Sequence, residues 1–190
     1  MAPIYYEYDV RRRLEKGILS EVFIEVGKED LGVHLYSILG HAGSGKSVFL
    51  HRLAWEAVNS LKKSCLILKK DILLDADAVI ELHSFLKERI YLIVDNANYN
   101  ELEINNLIER SKKDSVPLTI ITAERTHLWN VECNRIKNHV SHVYRLQYLD
   151  TDEINDLLDL LEIHDSLNHL RVKHVKLSVK NLKKEPDVSF

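Results

Sequence analysis

Short apolar runs alternate along this chain with longer segments whose apolar positions recur at helical spacing. Val33–Leu39, Cys65–Leu68, Ile90–Val94, Leu118–Thr122 and His142–Leu149 are strand-sized runs, with Pro117 opening the fourth. Between them lie segments of period 3.6. Val48–Leu61 carries Phe49, Leu53, Ala57 and Leu61 four residues apart. Asp75–Lys87 reads as a helix through Val79, Leu82 and Leu86, and Leu102–Ile108 places Ile104, Leu107 and Ile108 on one face. A last helix is predicted to begin near Asp150 or Thr151, either of which can cap it, with Ile154, Leu157, Leu158 and Leu161 turned inward. Ile90–Val94 is apolar on both faces, so it needs cover on both sides. Strand–helix alternation of this kind predicts an α/β fold, a mostly parallel sheet between helical layers.

The chain has 190 residues, enough for one domain with its own core. The division this pattern predicts is an N-terminal extension over 1–32 packing on the domain, a core over 33–164, and a basic, helical tail over 165–190. Lys plus Arg number 26 against 29 Asp plus Glu, a formal net charge of −3, which gives no general footprint for nucleic acid or anionic lipid. Cys65 and Cys133 show no metal-ligand spacing and read as reduced thiols. No run approaches the roughly 20 apolar residues that span a bilayer, and the N-terminus lacks a signal peptide's apolar stretch, which points to a cytoplasmic protein. Arg11–Arg13 read as solvated charges, as does the basic stretch Arg171–Phe190, for which an acidic partner is the alternative. Tyr5, Tyr6 and Tyr8 read as an aromatic cluster packed on the core, and adenine stacking is their alternative.

The chemistry concentrates in one loop. Gly40-His41-Ala42-Gly43-Ser44-Gly45-Lys46-Ser47 fits the phosphate-loop pattern G-x-x-x-x-G-K-[ST], between a predicted strand and a predicted helix. Gly43 and Gly45 permit backbone conformations closed to other residues. The amides of Gly43–Ser47 form an anion nest at a helix N-terminus, where the helix dipole also favours negative charge. Lys46 is expected to reach the β- and γ-phosphates and Ser47 to offer its hydroxyl to Mg²⁺. Gly40, Gly43, Ser44, Gly45, Lys46, Ser47 and Val48 are therefore the expected nucleotide contacts.

Arg89-Ile90-Tyr91-Leu92-Ile93-Val94-Asp95 is an apolar strand closing on an acid, the Walker B form, and Asp95 is the expected metal-side carboxylate beside Ser47. Asn96 stands where many hydrolytic relatives have a second acid; an amide orients water but takes no proton. Glu124, at the end of the fourth strand, is either a substitute base or an exposed loop acid. Arg125, always charged and able to grip phosphate oxygens with two N–H groups, is the expected γ-phosphate sensor, with a surface ion pair to Glu124 or Glu132 as the alternative.

At these residues the chain resembles the signal-transduction ATPases with numerous domains. These form the STAND class of P-loop NTPases, which includes NACHT-type switches and members of prokaryotic antiviral defence. The resemblance is carried by GHAGSGKS at 40–47, YLIVDNAN at 91–98, TIITAERTHLWN at 119–130 and LQYLDTDE at 146–153, and extends from Tyr36 to Leu161. It implies a three-layer α/β/α fold with a five-stranded sheet of order 5-1-4-3-2. It implies ATP or ADP with Mg²⁺, slow hydrolysis that resets a switch, and a nucleotide-dependent oligomer or effector partner. It further implies that the chain is a fragment of a longer protein, because the class continues into further domains. Asn96 departs from the class pattern and bears on hydrolysis, not on binding. Two rival functions remain open: a small P-loop kinase, whose lid would draw on Arg125, Arg135 and Lys137, and a non-catalytic nucleotide-binding module.

Overall fold

Along the third strand, Ile90, Leu92 and Val94 enter one hydrophobic cluster while Tyr91 and Ile93 enter another. That alternation places an apolar layer on each face of the sheet, and helices cover both. The structure, a computed structural model, describes residues 2–26 and 30–166; the basic stretch Arg171–Phe190 lies outside the described residues.

Five parallel strands, β1 (Val33–Gly40), β2 (Ser64–Ile67), β3 (Ile90–Asp95), β4 (Leu118–Arg125) and β5 (Val140–Leu146), lie in the order β2-β3-β4-β1-β5. This is the 5-1-4-3-2 arrangement that the STAND resemblance implies. The helices are α1 (Ala2–Tyr5), α2 (Leu14–Ile18), α3 (Lys46–Asn59), α4 (Ala76–Leu86), α5 (Glu101–Lys113), α6 (Thr126–Glu132) and α7 (Thr151–Ile163). Leu35, Leu39, Leu92 and Ile120 pack under α4 and α5 through Val79, Ile104, Leu107 and Ile108, with Trp129 and Cys133 of the α6 region. On the opposite face, Tyr36, Ile38, Tyr91 and Ile121 meet Phe49, Leu53 and Ala57 of α3. Ile18, and Val22 and Phe23 from the π-helical turn Leu19–Glu25, complete that layer; Phe23 stacks on Tyr91 with centroids 4.8 Å apart.

Contacts divide the chain into two units, with boundaries at Arg11/Arg12 and at Tyr148/Leu149. The first unit, Arg12–Tyr148, contains the sheet and α2 to α6. Among the described residues the second contains Ala2–Arg11 and residues 149–166. There, Tyr5, Tyr6 and Tyr8 are each more than half exposed, pack ring against ring, and Tyr8 meets His164, so they are not the core cluster expected of them. Asp150 caps α7 through the amides of Asp152 and Glu153, and Glu153 returns a carboxylate to the Asp150 amide.

Three elements differ from their expected form. β4 runs three residues beyond Thr122 because β1 continues beside it, with Gly40 opposite Arg125. β5 stops at Leu146, not Leu149, because Leu146 is paired with Gly40, the last residue of β1. α6 was not expected at all: Trp129 is its one buried residue, so it has no apolar period to read. No helix of the described residues is long and apolar enough to cross a membrane.

Candidate nucleotide-binding site

Gly40 ends β1 under steric pressure. A Cβ there would lie 2.5 Å from the Leu146 carbonyl oxygen and 2.7 Å from Ser44 Oγ, distances that real Cβ atoms do not adopt. The loop then turns through Gly43 at φ 76° and Gly45 at φ 87°, both left-handed. Gly45 sits at the N-cap of α3 and no side chain caps the helix, so its first amides stay available to an anion. Lys46 Nζ donates to the carbonyl oxygens of His41 at 2.7 Å and Gly40 at 3.3 Å, inside the loop. Burial pushes the Lys46 pKa down, Asp95 and Glu124 favour its charge, and Arg125 opposes it. A partly desolvated cation at a nest of amides is suited to phosphate.

Ser47 Oγ donates to Asp95 Oδ2 at 2.5 Å, bringing the first turn of α3 against the end of β3. The sequence places these residues 48 apart, and the parallel sheet joins them. They open on a cavity of about 840 Å³, lined also by His51, Lys69, Asn96 and Tyr99. Asn96 adopts a left-handed conformation (φ 53°, ψ 65°), which asparagine tolerates better than most residues, and its amide donates to Asp95 Oδ1 at 3.0 Å.

Glu124 is 1% exposed, which removes the exposed-acid reading. Its Oε1 accepts the Arg125 amide at 2.7 Å and its Oε2 accepts the Asn98 amide at 3.0 Å. Arg125 is exposed and, among the described residues, its side chain has no ion-pair partner; Glu132 instead accepts from Asn98 Nδ2 at 2.8 Å. Arg135 and Lys137 are committed elsewhere. Arg135 holds the buried Glu101 through its amide at 2.6 Å and its guanidinium at 2.5 Å, and Lys137 donates to Asn130 O and Asn134 Oδ1, each at 2.8 Å.

Two contacts on the outer side of the loop went unread in the sequence. Arg12 Nη1 donates to Ser44 O at 2.9 Å and Nη2 to Gln147 O at 2.7 Å, so Arg12 is no solvated charge. Tyr148 Oη donates to Ala42 O at 3.5 Å and its ring stacks on His41, with centroids 5.7 Å apart. No local pattern marks Arg12 among three consecutive arginines, because its partners lie 32 and 135 residues away.

The family model for novel STAND NTPase 5 matches residues 1–137. The chain belongs to this STAND NTPase family. Solved structures with a similar fold are P-loop ATPases of low identity. The Thermotoga maritima RuvB Holliday junction branch migration motor is 17% identical, with a TM-score of 0.57 over 82% of this chain and 52% of its own. The Aeropyrum pernix ORC2 protein in ADPNP–ADP complexes is 10% identical, with a TM-score of 0.57 over 80% and 53%. The Drosophila ORC structure bound to GC-rich DNA and Cdc6 is 12% identical, with a TM-score of 0.58 over 77% and 30%. The chain thus spans about half the length of the first two. Among curated proteins, none matches the sequence.

As a nucleotide-binding P-loop NTPase of the STAND type, the chain has residues that fit both nucleotide and Mg²⁺. Ser47 and Asp95 present hard oxygen donors in mutual contact, the donor type Mg²⁺ selects. Among the described residues no group of three or more His, Cys, Asp or Glu side chains could hold a metal. An ion here would therefore complete its shell with phosphate and water, as Mg²⁺ does at nucleotide sites.

Proposed function

We propose that the chain is an ATP-binding regulatory switch domain that hydrolyses ATP slowly with Mg²⁺ and whose output is conformational. The observation that carries this reading is the inventory of acids at the site. Asn96 follows Asp95 and takes no proton, and both oxygens of Glu124 accept backbone amides, which ties that carboxylate to the backbone. In this reading the amides of Gly43–Ser47 and Val48 orient the phosphates, and Lys46 exchanges its loop carbonyls for β- and γ-phosphate oxygens. Ser47 and Asp95 hold Mg²⁺, which screens phosphate charge when bound. Arg125 senses the γ-phosphate, and Asn96 orients water without deprotonating it. Phosphoryl transfer depends mainly on positioning and charge stabilisation, so such a site turns over, but slowly.

A cytoplasmic location, a nucleotide-dependent oligomer, partner domains of a longer protein, and a role in prokaryotic defence are proposals of the same reading. The kinase alternative loses support, because Arg135 and Lys137 are held by Glu101, Asn130 and Asn134 and leave Arg125 as the one candidate lid cation. Binding without hydrolysis is the remaining alternative. Single-turnover hydrolysis of pre-bound MgATP separates the three: slow release of phosphate supports the switch, no release supports the binding module, and transfer to an added acceptor supports the kinase.

A further inference from the structure

The amides at the start of α3 have no side-chain cap, while two carbonyls of the phosphate loop are held by side chains from elsewhere in the unit. Tyr148 donates to Ala42 O, and Arg12 donates to Ser44 O. Arg12 is half-buried, lies one residue before Arg13, the N-cap of α2, and is anchored there by its own carbonyl, which accepts the Glu15 amide at 2.9 Å. Its guanidinium forks: Nη1 reaches Ser44 O and Nη2 reaches Gln147 O, just past the end of β5. Nη1 also lies 3.6 Å from where a Gly45 Cβ would stand, directly against the left-handed glycine. The chain enters this unit at Arg12 and leaves it at Tyr148. Both passages are therefore tied to the back of the phosphate loop, and to each other.

We propose that Arg12 is a positioning residue for the phosphate loop. By bridging Ser44 O and Gln147 O it sets the amide array that receives phosphate, and it transmits occupancy of the loop to the Gln147–Tyr148 segment. The proposal rests on the nucleotide-binding reading of that loop and adds its route of regulation. The physical basis is twofold. A cation donating to Ser44 O polarises the Ser44–Gly45 peptide and strengthens the Gly45 N–H as a donor to an anion. A guanidinium fork fixes two acceptors at once, which a lysine ammonium on a flexible stem does not reproduce. Arg12 touches the loop backbone from outside, so its effect falls on ATP and ADP alike, unlike that of a γ-phosphate sensor.

The test uses the full chain as wild type, Arg12→Gln, Arg12→Lys and Lys46→Ala. Affinities for MgATP and MgADP are measured by titration calorimetry, and hydrogen exchange is followed in peptides over 43–48 and 145–150. Arg12→Gln should weaken both nucleotides equally, about ten-fold or more, for the lost charge-assisted bonds. Arg12→Lys should recover only part of that loss. In wild type MgADP should slow exchange in both peptides; in Arg12→Gln it should slow 43–48 alone. Arg12→Gln within two-fold of wild type, or complete recovery by Arg12→Lys, overturns the positioning role and leaves nucleotide binding intact. If Arg12→Gln does not fold, wild type alone decides: protection confined to 43–48 overturns the proposal. No binding by wild type, or undiminished binding by Lys46→Ala, overturns the underlying reading instead.

Discussion

Glu124 accepts the backbone N–H of Asn98 at 3.0 Å, fastening the end of β4 to the turn that follows β3. Its other oxygen accepts the Arg125 amide at 2.7 Å, so the buried carboxylate satisfies two backbone donors and sets the direction in which Arg125 leaves the strand. A residue with the composition of a catalytic base thus acts here as a brace. Glu124→Gln presents an N–H₂ to one of those amides, which sets two donors against each other at a buried side chain. The expected loss is about 1–3 kcal/mol. At this chain length that lowers the melting temperature by roughly 2–12 °C. Phosphate release per folded molecule should stay within a few-fold of wild type in single-turnover assays. A drop of 10²-fold or more at unchanged ADP affinity would show that Glu124 is the base after all.

Lys46 and Ser47 make separable contributions. MgATP at about 100 times its dissociation constant should stabilise wild type by about 2.7 kcal/mol. For a chain of this size that is roughly 5–10 °C in melting temperature. Lys46→Ala should remove most of this shift, because the loop then loses its one side-chain cation for the phosphates. Ser47→Ala should instead remove the difference between MgATP and metal-free ATP, since the hydroxyl is assigned to the metal. A Lys46→Ala protein with the full shift would rule out the phosphate-loop assignment.

The sheet and the loop were legible because each obeys a local rule. Continuous apolar runs along β1 and β3 and helical spacing in α3 and α5 report that both faces of the sheet are covered, while the strand order was legible only through the resemblance to the STAND class. Gly43, Gly45, Lys46 and Ser47 are legible for a similar reason, since one anion fixes their chemistry within a few residues. What escaped is long-range or conformational. Arg12 bonds to carbonyls that any residue carries, so no side-chain pattern announces its partners. Gly40 is required by the approach of Leu146 O, which depends on the neighbouring strand's register. Glu124 looks exposed next to Arg125, yet the strand continues through it and buries it.

Arg125 projects from the position paired with Gly40, the first residue of the phosphate loop, and its charge is felt at Lys46. If it senses the γ-phosphate, Arg125→Ala should weaken ATP binding by about ten-fold or more, the equivalent of one charge-assisted pair. ADP binding should change little. Equal losses for ATP and ADP would make Arg125 a general electrostatic contributor. The contrast with Arg12→Gln, for which equal losses are expected, makes the two arginines controls for one another.

Asn96 combines a chemical and a conformational requirement. Its backbone is left-handed at φ 53°, a conformation that costs most residues about 1–2 kcal/mol and asparagine, aspartate and glycine less. Asn96→Asp therefore preserves the turn and adds a carboxylate, whereas a glutamate would also add strain. Wild type should release phosphate well below 1 s⁻¹ in a single turnover, in the range of switch enzymes that await a stimulating residue. Asn96→Asp should raise that rate by about 10²-fold or more at an affinity within a few-fold of wild type, since general-base help is worth roughly 10²–10⁴-fold. Asn96→Gly suits the same φ and lacks the amide, so it isolates water orientation: it should keep or improve the melting temperature and slow turnover below wild type. Single-turnover measurement excludes product release from all three rates. If Asn96→Asp is no faster and Asn96→Gly no slower than wild type, Asn96 serves the backbone alone, and the catalytic base is either Glu124, as its own substitution tests, or a group from a partner molecule.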